Sequence, residues 1–272
     1  MDVEKAINLA TTHYENFPVI PFFMPKKWRK PTAFIYAFAR SADDIADEGV
    51  DSPALRLEKL NFYENQLNIP STPFFIELEK IITKHALPKQ AFYDLLIAFK
   101  QDVLNPRYLN EEALLNYCKH SAEPIGHLML ALANETKSES IIMSNCLCTS
   151  LQLINFIQDL KSDIIDRQRL YIPIEDLKTF SISESMIFNL EYNESIQALI
   201  DFQCHRAHQL LTQGQPLLEN LSGRFRMMIT LTYMGAKSML SKLKHRPNIY
   251  HRPTHNKKDW VYFSFKYLLG LR

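Results

Sequence analysis

Glycine is scarce in this 272-residue chain, with only six residues, so the Gly-rich turns of hairpins and of dinucleotide-binding βα units are missing. Cysteine is also sparse: Cys118, Cys146, Cys148 and Cys204 lack the paired spacing of a zinc site and are too few for a disulfide scaffold. They read as reduced thiols. Neither charge sign dominates, since 31 Lys and Arg face 30 Asp and Glu for a formal charge of +1, and no broad electrostatic basis for binding nucleic acid exists. No apolar run approaches the roughly 18 residues of a membrane span. The start Met1-Asp2-Val3-Glu4-Lys5 is unlike the charged-then-apolar opening of a signal peptide. The expectation is a cytoplasmic protein. Stretches alternating apolar and polar residues are few, so strand signals are weak too.

What is present points to helices around a sizeable core: 46% hydrophobic residues with 22% charged is a globular composition. Proline does the punctuating. Pro18, Pro21, Pro25 and Pro31 make a proline-broken entry segment over 1–31, after which a helix is expected from about Thr32 to near Gly49. Pro53, Pro70, Pro73, Pro88 and Pro106 bound helices near 54–68, 74–85 and 89–103. A longer pair is expected at roughly 110–135 and 139–165, then a turn around Tyr171-Ile172-Pro173, then helices near 191–213 and 223–244. Residues 245–272 read as a basic loop and an amphipathic, aromatic-rich C-terminal segment, fit either to seal the core or to touch a membrane. With no repeat, low-complexity tract or Gly/Ser linker, 1–272 is expected to form one all-α domain, a helical bundle around a central cavity.

Two aspartate clusters carry the chemistry. In Tyr36-Ala37-Phe38-Ala39-Arg40-Ser41-Ala42-Asp43-Asp44-Ile45-Ala46-Asp47-Glu48, Asp43 and Asp47 stand at i and i+4 and project from one helix face, with Arg40 beside them. Like charges at that spacing destabilise an isolated helix by roughly 0.2–0.5 kcal/mol and call for a cation. A lone cluster of this kind is more often a solvated helix end. In the second, Gln152, Asn155, Asp159 and Asp163 recur at steps of three and four, flanked by Leu151, Leu153, Ile154, Phe156 and Ile157. A polar stripe on an otherwise apolar helix lines a cavity.

Buried carboxylates need charge partners, because desolvation costs several kcal/mol per ion. Mg²⁺ is a suitable one: it takes hard oxygen ligands, keeps waters, and binds through one or two carboxylates plus substrate phosphates. The carboxylate pairs Asp43/Asp47 and Asp159/Asp163 are the candidate metal ligands. Two such clusters facing each other would hold metal around a departing diphosphate, the protein stabilising charge as it develops. Arg40, Lys161, Arg167 and Arg169 are candidate diphosphate contacts, with Gln152 on the polar stripe. A cation formed on ionisation needs aromatic faces worth about 0.5–2 kcal/mol each. Phe17, Phe22, Phe23, Tyr36, Phe38, Tyr117 and Phe156 are candidates, although aromatics at helical spacing are more often plain core.

These residues resemble the squalene/phytoene synthase family, the head-to-head branch of class I isoprenoid synthases. Tyr36 to Gly49 resembles the family's first aspartate motif, and Gln152 to Asp159 with Asp163 and Arg169-Leu170-Tyr171-Ile172-Pro173 its second. Tyr117-Cys118 and Gly126 match its mid-chain helix. Four features resemble one bacterial branch, the hydroxysqualene synthases: Glu15-Asn16-Phe17-Pro18, Ser121 to Gly126, Leu151 to Asp159, and Arg252-Pro253 followed by Lys258-Asp259-Trp260. The resemblance thus runs nearly end to end. It implies Mg²⁺-dependent ionisation of presqualene diphosphate and quenching by water to hydroxysqualene, without NADPH. By the same resemblance, Asp43, Asp44, Asp47, Asn155, Asp159 and Asp163 are metal ligands or their immediate supports, Arg40, Arg169 and Tyr171 face the diphosphate, and Tyr36, Phe17 and Tyr117 line the chamber. It further implies a partner enzyme that makes presqualene diphosphate; the very apolar product adds the expectation that this cytoplasmic protein makes loose contact with the inner face of the membrane. The chain departs from the pattern in places. Gln158 stands where phytoene synthases usually carry Arg, His127 follows Gly126 where the hydroxysqualene branch carries Arg, and Gln168 replaces the usual Gly before Arg169.

Two other readings use the same motifs: condensation of two farnesyl diphosphates to presqualene diphosphate or squalene, and a non-catalytic assembly protein of the same fold. The intact acidic pairs speak against the second.

Overall fold

A computed structural model of the chain describes residues 24–270. Among the described residues the regular structure is helical throughout. The first helix, α1 (Lys26–Asp47), begins before Pro31 rather than after it. Pro31 removes one ladder bond, and burial of Trp28 edge-on against Phe225 at 5.5 Å, with the Lys30–Glu77 ion pair at 2.6 Å, offsets that loss. α1 ends at Glu48 and Gly49, the latter at φ 84°. Arg56 closes that end by donating to the carbonyls of Ala46 and Gly49. The end of α1 that carries the first aspartate motif is thereby anchored.

Helices α2 (Pro53–Asn68), α3 (Pro73–His85) and α4 (Gln90–Leu104) start and stop within a residue of the expected bounds. The signals are local: Ser52 caps α2 with Pro53 in its first turn, Pro73 opens α3, and Ala86 and Asn105 end α3 and α4 in left-handed conformations. With α1 they enclose one aromatic core, in which Phe38 meets Phe92 edge-on at 5.1 Å and Phe34 stacks on Phe74 at 5.3 Å. Fully burying such a side chain contributes about 1.5–3 kcal/mol.

The expected helix over 110–135 is two: α5 (Glu111–Ser121) and α6 (Glu123–Leu132). Pro124 lies in the first turn of α6, and its ring disfavours helical backbone just before it. The expected helix over 139–165 is likewise divided at Asp159 into α7 (Ser138–Gln158) and α8 (Leu160–Arg167). The cause lies in a side chain that takes up a ladder carbonyl: Arg246 donates to the Ile157 carbonyl at 3.1 Å.

After the extended Arg169–Pro173 segment come two short helices, α9 (Ile174–Thr179) and α10 (Glu184–Phe188). Then follow α11 (Glu194–Gly214), α12 (Leu217–Asn220), α13 (Gly223–Lys244) and α14 (Lys257–Leu268). Among the described helices α7 alone has the length and apolar composition of a membrane span. In this structure it packs along α11, with α6 and α13 beside it, at the centre of the second core cluster. A buried group ties α11 to its neighbours: Arg206 pairs with Asp176 of α9 at 2.7 Å and with Glu111 of α5 at 2.9 Å, and Gln203 donates to the same Asp176 at 2.8 Å. With its charges paired, the group avoids the cost of a lone buried ion.

Candidate active site

The two aspartate motifs meet through arginine. Asp47, at the end of α1, accepts from Arg167 Nε at 3.0 Å and pairs with Arg169 Nη1 at 2.8 Å. Arg167 also reaches Asp163 of α8 at 3.3 Å, so one guanidinium joins the first motif to the second. Arg169 is buried, and its other nitrogen donates to the Asp102 carbonyl at 2.8 Å. The cluster is held by residues 120 positions apart in the chain.

Its carboxyls are short of compensating charge. Burial, then the neighbouring Asp47, pushes Asp43 up to about 7. Burial also pushes Asp163 up to about 7, against the pull of Arg167 and with Asp159 adding to the rise. Carboxylates in this condition favour a cation with full charge and hard-oxygen preference, so the donor set fits Mg²⁺. Among the described residues no three His, Cys, Asp or Glu side chains form a ready chelating group. Arg167 and Arg169 stand between the carboxylates instead.

Beside the cluster lies an aromatic stack. Tyr171 stacks on Phe156 at 3.8 Å, and Tyr117 and Tyr108 lie 5.7 and 6.1 Å from Tyr171. The hydroxyls of Tyr117 and Tyr171 donate to the Asp102 carboxylate at 2.9 and 3.3 Å. Burial pushes Asp102 up to about 6, against Arg169 and the tyrosine hydrogen bonds. The cavity between Phe156, Tyr171, Leu153, Ile200, Asp163 and Arg169 encloses about 20 Å³, room for about one water.

The segment bearing Arg169 and Tyr171 is clasped from the α4–α5 loop. Arg107 donates to the carbonyls of Leu170 and, at 3.0 Å, Ile172, on either side of Tyr171. Asn105 donates to the Gln168 carbonyl at 2.9 Å, and the amides of Ile174 and Glu175 donate to the carbonyls of Tyr108 and Leu109.

Of the residues singled out in the sequence, Asp43, Asp47, Asp163, Arg167 and Arg169 come together, and Tyr117 and Tyr171 join them through Asp102. Arg40 stays on α1, paired with Asp43 at 3.3 Å, Asp44 at 2.8 Å and Glu48 at 2.7 Å. Asp159 faces the C-terminal loop and pairs with Arg252. Tyr36 and Gln152 are half-buried, and Asn155 is exposed. Lys161 is exposed and is not drawn into the cluster, because at two positions from Asp159 it lies on a different side of the helix. Phe17, with Phe22 and Phe23, lies outside the described residues.

Asp102, Arg107 and Tyr108 escaped the sequence reading. Asp102 had a signal: Phe92, Leu95, Leu96 and Phe99 form one apolar face of α4, and continuing that spacing puts a carboxylate where burial is expected. Arg107 acts on backbone carbonyls, which leave no mark in a sequence.

The squalene/phytoene synthase family model matches residues 10–259. Hydroxysqualene synthase of Zymomonas mobilis is 28% identical over 256 residues, covering 92% of this chain and 86% of that protein. Hydroxysqualene synthase of Sinorhizobium fredii is 29% identical over 246 residues, covering 88% and 82%. Among solved structures, a squalene synthase from Alicyclobacillus acidocaldarius superposes with a TM-score of 0.83 at 29% identity, over 92% of this chain and 95% of that one. A ligand-bound dehydrosqualene synthase reaches a TM-score of 0.84 at 18% identity, over 98% of both chains, and so shares the fold.

Proposed function

Because this chain belongs to the squalene/phytoene synthase family, whose members are isoprenoid synthases acting on polyprenyl diphosphates, we propose that it ionises presqualene diphosphate with Mg²⁺ and adds water to the rearranged cation, releasing hydroxysqualene. The observation that carries this reading is the junction at Asp47, where Arg167 joins the two aspartate motifs and Arg169 pairs with the first, beside an aromatic stack. The similarity to hydroxysqualene synthases over most of their length supports the choice of product.

Asp43, Asp47, Asp159 and Asp163, with Asp44 and Asn155 in support, would hold the Mg²⁺, which when bound would supply positive charge to the leaving diphosphate. The chain's own residues do the rest. Arg167 and Arg169, bound to Asp47 in the free protein, are the cations positioned to turn to the diphosphate oxygens once the carboxylates have another partner. Phe156, Tyr171 and Tyr117 present ring faces to the isoprenoid cation, each worth about 0.5–2 kcal/mol. Asp102 holds the two tyrosine hydroxyls and so fixes the rings. The interior must open, since about 20 Å³ is far below the roughly 300–1,000 Å³ of ligand pockets. Water as the final nucleophile makes a nicotinamide unnecessary, and a separate enzyme joining two farnesyl units would supply the substrate.

The test is product identification by mass spectrometry after giving the purified protein Mg²⁺ with presqualene diphosphate alone, then with farnesyl diphosphate alone. Hydroxysqualene from the first is expected, and consumption of farnesyl diphosphate only would select the condensation reading. Asp43→Asn is expected to keep the helical circular dichroism and to lower turnover by about 10²-fold or more. An Asp43→Asn/Asp159→Asn variant with wild-type turnover would sink the proposed mechanism.

A further inference from the structure

Helix α14 (Lys257–Leu268) has two apolar faces. One is used: Trp260 and Phe263 are buried, and Trp260 packs under Gly235 of α13, where an added Cβ would meet the ring at 3.3 Å. The other is not covered by any described element. Val261 is 69% exposed, Phe265 58% and Leu268 79%, and Tyr262 and Leu269 continue the patch. At helical spacing these five occupy one stripe, with Phe265 at its centre three or four positions from each of the other four. A surface helix normally turns a polar face outward, so this much exposed apolar surface marks a docking site.

The charges around the stripe indicate what docks. Lys257 and Lys258 are exposed at its start and Lys266 borders it, 5.6 Å over the Tyr262 ring. Residues 242–270 hold seven Lys and Arg against one acid, Asp259, which is turned inward to Lys242 and to the Asn256 amide. The rest of the chain, with 24 basic and 29 acidic residues, is net negative. An apolar stripe carrying aromatics and rimmed by lysine complements anionic lipid: rings and aliphatic groups enter the headgroup boundary while lysines meet phosphate. Self-pairing is disfavoured by the same residues, since a twofold contact through this stripe would bring like lysines together.

We propose that the outward face of α14 docks on an anionic lipid bilayer, lying flat in its surface. The docking helix follows directly on the loop in which Arg252 pairs with Asp159 and the Pro253 carbonyl accepts from Gln158 at 2.7 Å. The bilayer would then lie one short loop from the second aspartate motif. Docking does not depend on which diphosphate is the substrate, and its test reads binding rather than turnover.

The experiment is flotation of the full chain with vesicles of phosphatidylcholine, with and without phosphatidylglycerol. The wild type is expected to float with the anionic vesicles, and binding to weaken between about 0.1 and 1 M salt as screening sets in. Val261→Asp/Phe265→Asp should lower the bound fraction by roughly tenfold or more with an unchanged thermal melt, and Lys257→Glu/Lys258→Glu should abolish the preference for anionic lipid. A wild type that stays in solution with both vesicles, or an aspartate variant that floats equally well, overturns the proposal. So does a wild-type dimer in sedimentation that the aspartate pair dissociates, which would assign the stripe to a second copy.

Discussion

Asp102 sits among Tyr117, Tyr171 and Arg169 with little water to solvate its charge, and its titration follows from that placement. Its carboxyl is raised from an ordinary 3.8 to about 6, burial being the main cause. The folded state therefore holds this proton more tightly than the unfolded chain. The sign is that stability is lost, not gained, as pH rises from about 4 to 6, by an amount on the order of 2–3 kcal/mol for this one group. Asp102→Asn cannot ionise, so the difference in melting temperature, variant minus wild type, should climb across that window. Parallel melting curves from pH 4 to 7 would contradict the placement. At the same scale, the three departures from the family pattern have physical settings. Gln158 spans to the Pro253 carbonyl, His127 bonds Asn145 at 2.8 Å, and Gln168 takes a left-handed conformation at φ 53° that glycine would adopt without strain. Gln168 offsets part of that cost by donating to the Ile164 carbonyl at 3.0 Å.

Two helical glycines, Gly126 and Gly214, sit where an added side chain would press on α7. At Gly214 of α11 an added Cβ would lie 2.9 Å from the Leu147 amide nitrogen and 3.0 Å from the Met143 carbonyl of α7, and backbone atoms cannot move aside alone. At Gly126 of α6 the nearest atoms are the ends of two side chains, Ser144 Oγ at 2.5 Å and Cys148 Sγ at 2.8 Å. Gly214→Ala is thus expected to cost about 1–3 kcal/mol by chemical denaturation, and Gly126→Ala less, because a serine hydroxyl can rotate. The reverse order would show that α7 and α11 can slide apart, and that their contact is looser than it stands here. Element boundaries were legible wherever punctuation is local. Ser52-Pro53, Pro73 and Asn105 act within one turn of their own helix, and α2, α3, α4 and α13 fall within a residue of expectation. The break at Asp159 was not, because it depends on Arg246, which lies 89 positions from the carbonyl it takes.

For the whole molecule, burial first and neighbouring carboxylates after it raise Asp43 despite Arg40 and Asp163 despite Arg167, so the carboxylates gathered from α1 and α8 favour a further cation. Mg²⁺ with inorganic diphosphate should accordingly stabilise the fold together more than either does alone. At a hundredfold excess over the dissociation constant the gain is about 2.7 kcal/mol, or roughly 5–10 °C in melting temperature for a chain of this size. A melt indifferent to the pair, in a protein that still ionises substrate, would mean the carboxylates do not hold the metal.

The sequence by itself determined that the chain is helical, which carboxylates share a face, and which family it resembles. These rest on spacings of three and four residues and on proline and capping groups, all of them interactions within a turn or two. Only the tertiary structure decided that Asp47 and Asp163 share Arg167, that Asp159 faces Arg252, that Asp102 anchors Tyr117 and Tyr171, and that α14 turns apolar side chains outward. The Asp47–Arg167, Asp102–Tyr171 and Asp159–Arg252 pairings join residues about 70 to 120 positions apart. Burial, which decides how costly each unpaired charge is, belongs to the packed molecule and not to any segment of it.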